Sequence, residues 1–359
     1  MQQYADFKTI FLASNSMNGF QSYFEDFHDC ENGWYTYIIK GGPGTGKSTA
    51  MKTVAKTLKE KGLDVIVGPC SSDPYSLDAV IVPEKKAVIF DGTAPHVVEP
   101  SFVGACDKIV NFGDAFDFKK LISSKEQIIQ ISNSISNTYK RIYRYTSVLG
   151  ALKKDNLKFA KHTTDIEAAE KFAFSLIKKY IPKNNGVGIE KGCFLSALTF
   201  KGYIAFADTV KHFADTVISV CDDFGFVSDL IMQKVKTAAK NNGYDIYVCY
   251  NPLLPEKIDH IIIPYLKLAF ITEGKELSFN YVTRRTHAKR FTDLEILNSN
   301  KEKIAFNRRA YRKIADQTVT VMEEAKKLHD DLEALYIPAV DFKKTEKIAN
   351  NLINDISAI

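Results

Sequence analysis

The chain has 359 residues, 45% of them hydrophobic and 25% charged, with a formal net charge of +5. This is the composition of a soluble globular protein, long enough for two domains that each bury a core. The charge is too small to call for nucleic acid by itself. The longest apolar run, IIIPYLKLAFI (261–271), is interrupted by Lys267 and too short to cross a bilayer, so no membrane span is expected.

The opening MQQYADFKTIFLASN has neither the charged start nor the continuous apolar core of a signal peptide, and a cytoplasmic protein is expected. Six cysteines (30, 70, 106, 193, 221 and 249) show no CxxC and no paired Cys/His spacing. That argues against a zinc site and a disulfide framework, and for single buried thiols. Tyr35 to Lys40 is a β-rich run followed directly by GGPGTGKS (41–48). The next segment, TAMKTVAKTLKEKG, is helix-forming and ends at Gly62, a C-terminal cap.

Strand, GxxxxGK[ST] and helix in that order are the context of a phosphate-binding loop. Gly41, Gly44 and Gly46 would let backbone N–H groups approach phosphate oxygens, with Gly42, Pro43 and Thr45 completing the loop. The helix start near Lys47 adds its positive dipole end. Lys47 would reach the β- and γ-phosphates, Ser48 would ligate Mg²⁺, and Thr49 would donate to the α-phosphate.

CSSDP (70–74) ends the second strand, and AVIFDGTAPH (87–96) supplies four apolar residues and then Asp91. A carboxylate at a strand end is the expected second Mg²⁺ ligand, in the manner of a Walker B strand. ATP hydrolases of the additional-strand P-loop arrangement usually place a glutamate directly after it. Gly92 stands there instead, so the water-activating base is unassigned. Asp73, His96 and Glu99 are the candidates. An Asx-turn before Pro74 accounts for Asp73 about as well as catalysis, and a satisfied loop histidine accounts for His96 better. No NKxD motif supports guanine selectivity, which leaves ATP, and no LSGGQ-type signature points to a transporter ATPase.

From 128 to 152 a heptad places Ile128, Ile131, Ile135, Thr138, Ile142, Tyr145, Leu149 and Leu152 on one seam, and another helix follows near 164–179. A long helix and its successor read as a helical hairpin. After KNNGVG (183–188) the chain repeats itself. FLASNSMNGFQSYF (11–24) aligns with FLSALTFKGYIAFA (194–207) at an offset of 183, pairing Phe11 with Phe194 and Gly19 with Gly202. Further on the offset is 181, pairing Met51 with Met232, Gly62 with Gly243, Asp64 with Asp245, Asp78 with Asp259 and Pro83 with Pro264. A second seam begins at Ile304 and ends at Leu335, offset by 176, with a last helix near 341–357.

The second copy, SVCDDFGFVSDL, lacks GKS. Asp73 becomes Leu254, Asp91 aligns with Thr272 or, with one insertion, Glu273, and Asp222 and Asp223 stand where phosphates would sit. The retained Asp64, Asp78, Asp245 and Asp259 read as turn or cap residues. Six of the eight arginines lie between 284 and 312. Arg284, Arg285 and Arg290 are candidates for a cation supplied to the first site, against the plainer reading of a solvated basic loop. The segment Arg284–Arg312 is where nucleic acid would bind, but no stacking motif accompanies it.

IIKGGPGTGKSTAMK, CSSDPYSLDAVIVPE and IFDGTAPHVVEP resemble a poorly characterised bacterial family of P-loop ATPases built as two tandem P-loop halves. The resemblance extends over nearly the whole chain, with its most specific motifs in residues 36–100. It implies ATP binding through Gly41–Thr49 and metal binding through Ser48 and Asp91, and it brings no substrate. Relatives often keep a second P-loop; this chain departs there, and a second ATP site is not expected.

The expected fold is therefore α/β, with two tandem P-loop NTPase-like parallel-sheet domains, each with an appended helical hairpin. The first spans 1–185 (core 1–116, hairpin 117–182) and the second, degenerate one 186–359 (core 190–297, hairpin 298–359). The leading expectation is slow Mg²⁺-dependent ATP hydrolysis at the first half, acting as a conformational switch. A kinase passing the γ-phosphoryl to a nucleotide or other small hydroxyl acceptor is the alternative. A non-catalytic ATP-binding scaffold, docking a protein partner through its helical hairpins, is the third.

Overall fold

The computed structural model describes residues 4–93 and 97–359. Its first half runs β1 (Lys8–Thr9), β2 (Ala13–Ser16), β3 (Gly19–Ser22), β4 (Tyr35–Lys40), α1 (Lys47–Glu60), β5 (Ile66–Pro69), β6 (Leu77–Val82), β7 (Ala87–Asp91), β8 (Asp107–Asn111), α2 (Phe118–Ser123), α3 (Lys125–Thr163) and α4 (Ile166–Tyr180). The second half repeats that order: β9 (Glu190–Cys193), β10 (Ser196–Thr199), β11 (Gly202–Ala205), β12 (Thr216–Cys221), α5 (Phe226–Asn241), β13 (Ile246–Tyr250), β14 (Ile258–Ile263), β15 (Leu268–Glu273), β16 (Arg284–His287), α6 (Leu294–Ser299), α7 (Lys301–Tyr336) and α8 (Phe342–Ala358).

The fold is α/β with two six-stranded sheets, β1-β5-β6-β7-β4-β8 and β9-β13-β14-β15-β12-β16, the same order twice. The parallel sheet expected for each half is a mixed one. β6 and β14 run antiparallel to both neighbours, while the remaining pairings are parallel. The connection after each explains it. Pro83–Lys85 makes a single 3-10 turn that closes on Lys86 at φ 45°, and Pro264–Leu266 with Lys267 at φ 46° repeats it. So short a link can only reverse the chain, because a parallel pair needs a crossover of a dozen or more residues. Asp78 and Asp259 lie within β6 and β14 as buried strand residues, not in turns.

Two compact units form, and they do not follow the halves. One comprises the segment ending at Ala13, Ser22–Ile142 and Thr320–Ile359; the other comprises Ser14–Gln21 and Tyr143–Val319. In the first unit α8 lies on α1, with Thr345, Ala349, Leu352, Ile353 and Ile356 turned inward. Asp341 N–H donates to Ala115 O at 2.8 Å and Asp117 N–H to Ala339 O at 2.7 Å. In the second unit α4 lies on α5 through Ala169, Phe172, Ala173 and Leu176, and Asp165 N–H and Asp293 N–H donate to Phe291 O and Thr163 O. The helical segments are thus not hairpins on the core that precedes them. Each short helix, α4 or α8, completes the core of the opposite sequence half.

The repeat persists through these helices at the 176-residue offset. Asp117 and Asp293 cap α2 and α6, while Asp165 and Asp341 cap α4 and α8. The seam residues of α3 and α7 are buried or half-buried throughout. Arg141 pairs with Glu324 at 2.9 Å in the first unit, and Asn307 Nδ2 donates to Asp155 at 2.7 Å in the second, so α3 meets α7 in each.

One expectation about cysteine is corrected. Cys30 and Cys106 form a disulfide, and the other four cysteines are free. The partners lie 76 residues apart in sequence, so spacing carried no signal of the pair. No helix among the described residues is long and apolar enough to cross a membrane.

Candidate functional site

The site lies in the first unit, where β4 ends, the loop Gly41–Gly46 turns, and α1 begins at Lys47. Gly44 and Gly46 adopt φ of 69° and 81°, conformations that side chains with a Cβ resist. Gly41 is required for a different reason, since a Cβ there would stand 2.9 Å from Phe112 Cβ. Thr45 is fully buried and its hydroxyl donates to Gly42 O at 2.8 Å, bracing the turn from inside.

β4 pairs directly with β7, which sets Ile39 opposite Asp91 and brings the two strand ends together. Lys47 Nζ is 3.7 Å from Asp91 Oδ2, and it donates to the carbonyls of Gly41 at 3.2 Å and Gly42 at 2.9 Å. Asp91 Oδ1 accepts from Thr93 N–H at 3.0 Å, while the Thr93 hydroxyl donates to Gly41 O. Ser48 Oγ accepts from Leu77 N–H at 3.0 Å, tying the helix start to β6. Lysine, carboxylate and hydroxyl therefore converge on one glycine turn.

The end of α7 covers the outer side of that turn. Glu333 Oε1 accepts from Gly44 N–H at 3.3 Å. A Cβ on Gly42 would meet the Phe116–Tyr336 ring pair, and one on Gly44 would meet Ile337. A backbone donor of the loop already holds an anion, the chain's own.

The base candidates are dispersed. Asp73 is held in an Asx-turn, accepting from Tyr75 N–H at 3.0 Å and from the Ser76 hydroxyl, with Lys326 Nζ 3.5 Å away. Glu99 is ion-paired with Lys40 at 2.7 Å. His96 lies outside the described residues. Gly92 cannot be exchanged for a glutamate without a clash, because a Cβ there would stand 2.5 Å from Ile38 Cγ2.

The three arginine candidates have partners within the second unit. Arg285 grips Glu273 through Nε at 2.6 Å and Nη2 at 3.0 Å. Burial pushes the Glu273 pKa up, but hydrogen bonds from Arg285, Ser219 and Phe279 N–H outweigh it and bring the carboxyl down to about 2. Arg284 and Arg290 lie over the ring of Phe172. Lys326, Glu333 and Tyr336 were not anticipated as neighbours of the loop. In sequence Lys326 and Glu333 are ordinary residues between seam positions and Tyr336 follows the last of them, and only the exchange of helices brings them there.

The counterpart in the second unit is built differently. Its loop has four residues, 222–225, where the first has six, and α5 is two residues longer than α1. Gly225 repeats Gly46, at φ 80°, and the buried Asp222 accepts from Phe224 N–H at 3.1 Å and Ser228 N–H at 2.9 Å. The helix start that would attract phosphate is satisfied by a carboxylate. No family model, curated protein or solved structure matches the chain.

Proposed function

We propose that Gly41–Thr49 binds the triphosphate of ATP, with Mg²⁺ held by Ser48 and Asp91, and that slow hydrolysis there works as a conformational switch. The reading rests above all on the meeting of Lys47 and Asp91 beside a glycine turn held in left-handed conformations. Mg²⁺ fits the donor set, because a serine hydroxyl and a carboxylate are the hard oxygens it takes. When bound, the ion neutralises charge on the phosphates.

The chain's own groups account for the remaining steps. Lys47 exchanges the carbonyls of Gly41 and Gly42 for phosphate oxygens. Gly44 N–H exchanges Glu333 for a phosphate oxygen, since carboxylate and phosphate repel each other at one donor. Release of Glu333 frees the end of α7, and α7 contains residues of both units, so it is the element that carries the switch. Hydrolysis is slow because Gly92 leaves no base beside Asp91 and because Asp73 and Glu99 are otherwise engaged. The tandem ATPase family that the sequence resembles agrees with this reading.

Transfer of the γ-phosphoryl to a small hydroxyl acceptor is the second reading. It is favoured by the direct pairing of β4 with β7, which leaves no room for the additional strand of the glutamate-bearing hydrolases. A site that uses ATP belongs in the cytoplasm, and the Cys30–Cys106 bond is the feature that points to oxidising surroundings.

The test is phosphate release from ATP by the purified protein and by Lys47→Ala. Release should fall by about 100-fold in the variant, and equal rates would overturn hydrolysis at this loop. Label passing to an added nucleotide instead of water selects the kinase. Tight binding of ATP with no turnover selects the scaffold.

A further inference from the structure

The second unit holds a cavity of about 410 Å³, a volume typical of small-molecule sites. The 222–225 loop and β14 line one side, and stretches of α3 and α7 line the other. Most of its charges neutralise one another. Lys153 Nζ is 3.2 Å from Glu276, Lys257 pairs with the buried Asp259, Lys275 is 3.8 Å from Asp223, and Asp222 is committed to its two N–H groups.

Two cations and one donor are left over. Arg308 and Arg312 lie one turn apart on α7 and line the cavity, with no hydrogen bond or ion pair among the described residues. His260 is 2% exposed and lines the same cavity. Its Nδ1 accepts from Thr272 N–H at 3.2 Å, so the ring proton sits on Nε2, which has no partner among the described residues. Burial brings the ring pKa down to about 4, and at neutral pH His260 is an uncharged donor.

The duplication separates what the fold needs from what it does not. At the offsets of the repeat, Lys257, His260, Arg308 and Arg312 correspond to Ser76, Ala79, Ser132 and Ser136. The same strands and helices form in the first half without any of the four. A buried histidine whose ring donor has no protein partner is costly unless something answers it, and two unpaired arginines line the same cavity.

We infer that this cavity is a separate binding site for a small organic anion, whose carboxylate or phosphate group is gripped by Arg308 and Arg312 and accepts from His260 Nε2–H. Arginine suits the role because its planar fork matches both oxyanions. The inference is independent of nucleotide binding at Gly41–Thr49, and the Lys47→Ala background keeps the two apart.

Calorimetric titration of full-length Lys47→Ala protein with succinate, and separately with inorganic phosphate, tests it. One equivalent of at least one anion should bind, and the responding arm identifies the group. Adding Arg308→Gln and Arg312→Gln should weaken that binding at least about tenfold. The thermal midpoint without ligand should stay unchanged, because both arginines are exposed. Silence in both arms, or binding that survives loss of both arginines, overturns the site.

Discussion

The strand positions beside the two loops carry opposite chemistry on one backbone. In the first unit Ile38 of β4 lies opposite Ile109 of β8, and Gly92 follows β7 with no space for a side chain. In the second unit the corresponding residues are Ser219, Arg285 and Glu273, joined by hydrogen bonds, with Ser219 and Glu273 buried and Arg285 exposed. The glutamate missing after Asp91 is thus present in the other copy, where Thr272 has replaced the aspartate. A side chain can stand there only if the neighbouring isoleucine shrinks and an arginine answers its charge. Glycine in one unit and glutamate in the other each match the packing of the strands beside them.

The trio can be transplanted from the second unit into the first. Gly92→Glu should cost roughly 3 kcal/mol of stability by urea unfolding, from overlap with Ile38 and burial of an unpaired charge. Adding Ile38→Ser and Ile109→Arg should recover more than half of that loss. A triple variant no better than the single one would show that the trios are not interchangeable.

The loops offer a smaller contrast. Asp222→Ala removes the carboxylate from Phe224 N–H and Ser228 N–H, and should lower stability by ~1–2 kcal/mol, a helix-cap effect. No change would mean that solvent serves those N–H groups as well as Asp222 does. Glu333→Gln tests the reverse arrangement in the first unit. With a neutral group on Gly44 N–H, ATP should bind about threefold more tightly. Weaker binding would make Glu333 a supporting residue of the loop and not a competitor.

Much of this was legible in the sequence. The offsets of 183, 181 and 176 delimit the repeat, and GGPGTGKS with Asp91 marks the place where Lys47 and Asp91 meet. Three features were not. Antiparallel β6 and β14 depend on a three-residue turn whose brevity outweighs the run of apolar residues before it. The exchange of helices leaves no mark on periodicity, because α4 and α8 present the same kind of apolar face to either core. Lys326, Glu333 and Tyr336 were hidden for that reason. Cys30 and Cys106 were hidden by the 76 residues between them.

On the proposed function, one loop takes nucleotide and its twin does not. Equilibrium dialysis of the full chain with ATP and Mg²⁺ should give one nucleotide per chain, and none for Lys47→Ala at the same concentration. Two nucleotides per chain, or one that persists in Lys47→Ala, would contradict it.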